Sequence, residues 1–416
     1  MAKRSLHLVS TAPGRLVAAG TGLVAVTYGV VRYGFGLQLP ALTSELGLSS
    51  ALAGAIAAGS FAAYCAAALW AQRSMARRPP RVVVWVAAVL AASGALVVGM
   101  SWSTWSLAAG VLVAGSAAGA VSPTLVAAVG ATVDGRRAGR AQAVVNSGTG
   151  IGVALVGAAT LAAPDVWRPV WFCAAAGALV TAAVVDRSAR WPSRPEGPHE
   201  ASGTAPDDGR GATGPRGPLV RAGLAAAVAG VGSAAVWTFG RDLVTVTGGL
   251  PGRTTAALWC LLGAAAVLGA LSGDAVRVLG LRGAWVVTAV ATAAGTAALA
   301  LVPGSVVVVA LAGAVFGGAY TALSGVLIAW AGVLRAAAAG RTTAVLFVAL
   351  TAGQAVGALV TGGLSDVVGP QAAFWVGAAF LLAAAGAVPP GASSVRVVRS
   401  GQRLSFGPWR KPSDRR

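Results

Sequence analysis

Between Arg81 and Ser103 the chain reads VVVWVAAVLAASGALVVGMS (Val82 to Ser101), twenty residues without a charge. As a helix rising about 1.5 Å per residue, the stretch covers roughly 30 Å, the thickness of a bilayer's hydrocarbon core. Runs of this kind recur along the chain near 16–39, 50–71, 82–101, 105–132, 139–162 and 168–186, and again near 219–242, 254–272, 283–302, 305–332, 341–363 and 371–388. Composition agrees. Of 416 residues 56% are hydrophobic and 10% charged, with mean hydropathy +0.76; soluble domains carry about 25% charge, enough to cover a surface in water. The expected fold is an all-α membrane protein of twelve transmembrane helices.

The segment 187–218 is rich in Pro, Gly, Arg and Asp and nearly free of large apolar residues, which predicts a loosely ordered cytoplasmic linker. It divides the chain into an N-terminal six-helix bundle (1–186) and a C-terminal one (219–391), followed by a basic tail (392–416). Lys3, Arg4 and Arg15 precede the first run, as in a signal peptide, but the run is long and ends in no small-residue cleavage site, so it reads as the first span.

The net charge of +19 does not point to nucleic acid, because its cations sit in short clusters between apolar runs. With the N-terminus in the cytoplasm, 27 of the 31 Lys and Arg residues fall in the N-terminus, alternate loops, the linker and the tail; the exceptions are Arg32, Arg168, Arg241 and Arg253. The positive-inside rule then places both termini in the cytoplasm, as a multi-pass protein of a bacterial inner membrane, and an even number of crossings follows.

The halves repeat. Gly139-Arg140-Ala141-Gln142 maps onto Gly340-Arg341-Thr342-Thr343, a shift of 201 positions that also pairs Gly152 with Gly353, Asp165-Val166 with Asp366-Val367, and Pro169 with Pro370. Two parallel six-helix halves are one architecture of alternating-access carriers. The 58 glycines suit helices packed closely in lipid, where small residues replace hydrophobic burial as the reason to associate. Cys65, Cys173 and Cys260 lie singly in apolar runs and read as small buried hydrophobes.

The loop expected between spans 8 and 9, Gly269-Ala-Leu-Ser-Gly-Asp274-Ala-Val-Arg277-Val-Leu-Gly280-Leu-Arg282, resembles the signature loop of the major facilitator superfamily, with one residue more than usual between Gly and Asp. Gly362-Gly-Leu-Ser-Asp366-Val-Val-Gly369 echoes it, while Gln72-Arg73-Ser-Met-Ala-Arg77-Arg78 keeps the basic residues and lacks the Asp. Gly29-Val-Val-Arg32-Tyr33-Gly-Phe35-Gly-Leu-Gln-Leu-Pro40 with Leu46-Gly-Leu-Ser, Asn146-Ser-Gly148 and Gly353-Gln354 resembles the YbfB/YjiJ-like subgroup. The resemblance implies a secondary transporter, with Gly269, Asp274, Arg277, Gly280 and Arg282 forming a cytoplasmic gate loop.

Polar side chains at membrane depth are costly and mark candidate sites. Arg32 lies sixteen residues into span 1, roughly 24 Å, in the outer half; its guanidinium suits an anion or carboxylate, or else snorkels or pairs with Glu45 as an outer gate. Tyr28, Arg32 and Phe35 share a face by i, i+4, i+7 spacing. Arg241-Asp242 ends span 7, where Asp242 is a candidate for proton coupling or part of an interfacial ion pair, and Trp237 shares the Arg241 face. Gln142, Asn146 and Thr149 form a polar stripe in span 5; Tyr320 with Ser324, and Thr351 with Gln354, do so in spans 10 and 11. Substrate-binding candidates are therefore Tyr28, Arg32, Phe35, Gln142, Asn146, Trp237, Arg241, Tyr320 and Gln354.

His7 and His199 lie in polar segments, and no HExxH, CxxC, phosphate-binding loop or carboxylate pair occurs. The sequence thus predicts no enzyme, no metal and no cofactor. It predicts a monomeric carrier of a small organic solute amid membrane lipids, coupled to a gradient, with export slightly favoured. A non-transporting scaffold or sensor, or a lipid flippase, is the alternative.

Overall fold

The structure, a computed structural model, describes residues 12–164, 166–191, 216–335 and 338–387. His7, Asp165, His199, the tail and most of the expected linker lie outside these residues. Every regular element among the described residues is helical. Among the described residues ten helices are long and apolar enough to cross a membrane, and the shorter apolar helix Pro370–Gly386 follows them.

The first span is longer than its composition suggests. Helix α1 (Ala12–Val24) passes through a π-helical stretch (Ala25–Arg32) into α2 (Gly34–Leu46), which continues through Pro40. Proline removes one backbone donor but does not stop this helix. Gly47 stops it, at φ 65° in the left-handed region, with its N–H on the Thr43 carbonyl at 2.9 Å. Fourteen residues, Tyr33 to Leu46, therefore lie beyond Arg32, about 21 Å. With twenty residues before it and fourteen after, Arg32 lies near the middle of this long helix, a little towards its Leu46 end.

Local signals set the other ends. Ser49 caps α3 (Ser50–Met75), its Oγ accepting from the Leu52 N–H at 3.2 Å. Pro80 opens α4 (Pro80–Gly99), where its missing N–H is no loss. Ser103 and Ser106 form a capping box on α5 (Thr104–Thr132), which runs through Pro123 without a break. Helices α6 (Gly135–Ala162) and α7 (Arg168–Ser188) complete the first set.

The second set begins with α8 (Arg216–Asp242), extended by a π-helical turn (Leu243–Thr247), so Arg241-Asp242 does not end that span. Helix α9 (Gly252–Ala266), a 3-10 turn (Val267–Leu271) and α10 (Ser272–Leu301) form one apolar stretch of 50 residues. The expected loop between spans 8 and 9 is thus helical, broken only at Gly280 (φ 70°, ψ 166°), a conformation that glycine adopts without strain. Helices α11 (Val306–Leu334), α12 (Ala339–Val368) and α13 (Pro370–Gly386) close the set.

Short connections alternate the helices between two ends of the molecule, here called the Glu45 face and the Arg81 face. The sets meet along three seams, α3 with α12, α6 with α9 and α2 with α8. Glycines make the approach possible: a Cβ at Gly36 would meet the Trp237 carbonyl, one at Gly54 the Ala358 carbonyl, one at Gly150 the Gly263 carbonyl, and one at Gly157 Cys260. Most of the hydrogen bonds that join the sets among the described residues lie between the middle of the helices and the Glu45 face. They include Asp366 with the backbone of Ser50 and Ala51, Arg241 with the Leu37 carbonyl, and Cys260 with the Ala154 carbonyl. That of Cys65 with the Val348 carbonyl lies towards the Arg81 face.

Candidate functional site

Arg32 leaves the end of the π-helical stretch and is 7% exposed. A π-helix closes i to i+5 bonds and carries more residues per turn than an α-helix, so side chains after it rotate away from α-helical register. Tyr28 stays with Arg32, its ring centroid 5.5 Å from the guanidinium carbon. Phe35, also buried, belongs to the core cluster that holds Tyr33, Phe61, Trp237 and Tyr320.

Around the guanidinium stand four rings, Tyr64 at 4.2 Å, Phe61 at 5.3 Å, Tyr33 at 5.4 Å and Tyr28 at 5.5 Å from its carbon. Tyr28 and Tyr64 share a hydrogen bond at 3.1 Å between hydroxyls. From the second set, α12 supplies two acceptors. Arg32 Nη2 donates to Thr351 Oγ1 at 2.9 Å and to Gln354 Oε1 at 2.7 Å, and Gln354 Nε2 donates on to the Tyr320 hydroxyl at 3.0 Å. Trp237 stacks on Tyr33 at 4.1 Å and meets Tyr320 and Phe316 edge-on at 5.5 Å. The chain has four tyrosines, and all four are in this group.

Arg32's neighbours here are thus neutral hydroxyl and amide groups and π-faces, a cation–π box of the kind worth more when water is excluded. The expected pairing with Glu45 is not formed. Glu45 belongs to Arg168, at 2.6 Å and 3.1 Å, and to Trp167 Nε1 at 2.7 Å, on the Glu45 face. Arg32 Nε and Trp237 Nε1 are both buried without a hydrogen-bond partner among the described residues. Buried orphan donors are costly, about 1–3 kcal/mol each, and call for an explanation.

Other expected site residues lie elsewhere. Gln142 and Asn146, half-buried in α6 towards the Arg81 face, bond to each other at 3.0 Å. Arg241, 3% exposed, is a seam residue: Nη1 donates to the Leu37 carbonyl at 2.7 Å, Nε to Thr255 Oγ1 at 3.2 Å and Nη2 to the Gly252 carbonyl at 3.1 Å. Asp242 is half-buried beside it, with Oδ1 unbonded among the described residues. In the gate-loop sequence Asp274 pairs with Arg277 at 2.8 Å within one helical turn on the surface, Gly269 packs against Thr321, and Gly280 makes the break. Cys173 is exposed and Cys65 and Cys260 half-buried, rather than all buried; the latter two lie on the seams, their thiols donating to the Val348 and Ala154 carbonyls at 3.5 Å.

Tyr33, Phe61 and Tyr64 were absent from the expected set. Phe61 and Tyr64 stand i, i+3 apart in a span otherwise rich in Ala, so a hydroxyl-bearing ring at mid-span was the available signal.

The family described as "Uncharacterised MFS-type transporter YbfB" matches residues 24–389. The chain belongs to the major facilitator superfamily. No curated protein matches it significantly. Among solved structures it is similar to a mutant of the nucleoside transporter NupG (TM-score 0.72, 12% identity, covering 89% of this chain and 98% of that one). It is also similar to the D-xylose-proton symporter (0.67, 13%, 90% and 96%) and to a bacterial homolog of the human lysosomal transporter Spinster in an inward-facing, unoccupied conformation (0.66, 16%, 90% and 94%). At these identities the likeness is one of fold: a multi-pass helical membrane protein built as major facilitator transporters are.

Proposed function

We propose that this major facilitator protein is a monomeric secondary carrier that moves a small organic solute across the cytoplasmic membrane by alternating access. The observation that carries the reading is Arg32: a guanidinium at mid-depth, bonded across the two helix sets to Thr351 and Gln354, with neutral neighbours. A charge at that position is expensive unless it serves a ligand or a switch. Tyr28, Trp237, Tyr320 and Gln354 complete the binding site.

We read the 252–301 stretch as two crossings, with Gly280 at their junction, and Pro370–Gly386 as the last of twelve. Residues 1–186 and 219–391 are then two bundles. By the positive-inside rule the Arg81 face is cytoplasmic and the Glu45 face external. Bonds between the sets concentrate on the external side, as in a carrier closed outward and open inward. Asp242, beside the seam residue Arg241, is the candidate proton site.

The test is uptake of a panel of radiolabelled small solutes into proteoliposomes, with pH gradients of both signs. Spin-label distances accompany it, between Trp102→Cys and Val246→Cys on one face and between Arg78→Cys and Val278→Cys on the other, in a background without the native cysteines. At least one solute class should move saturably, should stop moving in Arg32→Ala, and should be driven outward by proton entry. The two label pairs should change distance in opposite senses. Fixed distances on both faces together with no flux would overturn the reading in favour of a scaffold.

A further inference from the structure

Resting on the carrier reading above, we infer that the solute is a small carboxylate anion with a flat, aromatic body, and that its carboxylate takes Arg32 Nη2 away from Gln354.

The unsatisfied buried groups of the site, Arg32 Nε and Trp237 Nε1, are both donors, beside hydroxyls that can give or accept. Arg32 is 93% buried by its 7% exposure, Trp237 is 4% exposed, and each holds an N–H that nothing accepts among the described residues. The two are bridged by one ring: Tyr33 lies 5.4 Å from the Arg32 guanidinium carbon and stacks at 4.1 Å on Trp237. A ligand that answers both must bring at least two acceptor atoms and fit against ring faces. A cation is repelled by Arg32. A neutral polyol answers the donors but brings hydroxyl donors of its own into a wall of aromatic surface. A carboxylate has acceptors only, and an aromatic body matches the offset and edge-on ring packing of Tyr33, Trp237, Phe316 and Tyr320.

The geometry of the guanidinium adds the switch. Arginine grips a carboxylate with two parallel N–H bonds, either from Nε and Nη2 or from Nη1 and Nη2. Both forks need Nη2. Here Nη2 already gives both of its hydrogens, to Thr351 and Gln354 of α12. A carboxylate that binds by either fork displaces one of them, and a charged acceptor outcompetes a neutral amide for the same donor. The Nε–Nη2 fork is the one that also gives the orphan Nε an acceptor. Losing Gln354 cuts a bond between the two helix sets and leaves the Gln354 amide held only by the Tyr320 hydroxyl of α11. Occupancy of the site thereby loosens a mid-depth tie between the halves, which gives the ligand a differential interaction with two conformations.

The test uses the purified full-length protein with benzoate as probe, and benzamide, acetate, benzylamine and uridine as comparators. Benzoate should raise the melting temperature by roughly 3 °C or more at saturation and bind at least about tenfold tighter than acetate or benzamide. In Gln354→Leu, and in Gln354→Met as a second apolar replacement, benzoate should bind several-fold tighter, because its competitor for Nη2 is gone. A residue that only contacts the solute would give the opposite sign. Stabilisation by uridine or benzamide in preference to benzoate overturns the anion assignment while leaving the carrier reading intact, and so does silence from every probe while the spin labels still report two states. Weaker benzoate binding in both Gln354 variants overturns the displacement. Static spin-label distances overturn the carrier reading itself.

Discussion

The Asp366 carboxylate at the end of α12 caps α3 from across the seam, its Oδ2 accepting the Ala51 N–H at 2.9 Å and its Oδ1 the Ser50 N–H at 3.2 Å. The first N–H groups of a helix have no partner inside it, and negative charge is favoured there. Ser49 covers the Leu52 N–H, so α3 draws its cap from both sets. An ordinary cap is worth about 1 kcal/mol, and on the proposed alternating-access cycle that energy is lost when the Glu45 face opens. Asp366→Ala should shift the two-state balance about fivefold towards the conformation open at that face, read as a longer Trp102→Cys to Val246→Cys distance. Asp366→Asn, itself a good cap, should shift it much less.

Arg241 ties the same face from α8. Its three bonds to Leu37, Thr255 and Gly252 come from one planar fork, and hydrogen bonds to a charged group contribute about 1.5–3 kcal/mol. Arg241→Met should lower the unliganded melting temperature and open the Glu45 face. Arg241→Lys should restore neither, since an ammonium cannot reach three diverging acceptors from one plane.

Substitution at Gly36 separates packing from propensity. In an isolated helix Gly→Ala gains about 1 kcal/mol. At Gly36, however, a Cβ would run into the Trp237 carbonyl and the Thr238 backbone. Gly36→Ala and, more strongly, Gly36→Val should therefore hold α2 away from α8 and populate the open Glu45 face. A stabilised closed form would show that helix propensity, not contact, governs this seam.

Glu45 gives the contrasting case. Its pairing with Arg168 is two-fifths exposed on each side, and exposed ion pairs contribute about 0–1 kcal/mol. Glu45→Gln should leave melting temperature and flux nearly unchanged, whereas Arg32→Lys should abolish solute binding. Equal damage from both would revive a gate in which Arg32 and Glu45 cooperate.

The all-helical, multi-span character of the chain was legible because lipid imposes a length and a polarity that few residues can disguise. Where the chain departed from that reading, the cause was local. Pro40 and the Arg241-Asp242 pair look like ends of spans, yet tertiary contacts carry the helix past both, and the 283–302 run begins after a helical rather than an extended loop because Gly280 turns the chain within two residues. The site was half legible. Arg32, Tyr28, Trp237, Tyr320 and Gln354 stood out as polar or amphipathic groups in greasy helices. Tyr64 and Phe61 were missed because nothing in α3 alone says which face will meet Tyr28 and Arg32. Gln142 Nε2 is taken up by Asn146 Oδ1 one turn on, a pairing invisible to any argument that reads polarity as vacancy, while Gln142 Oε1 stays buried without a partner among the described residues.

The gathering of every tyrosine around one guanidinium turns the chain into its own sensor. Fluorotyrosine incorporated biosynthetically would place four ¹⁹F nuclei in or beside the pocket and none elsewhere, so the whole spectrum would come from a single locality. Ring-current shifts from Trp237 would then follow the pocket through a transport cycle in a lipid nanodisc, without a cysteine introduced or an appended dye.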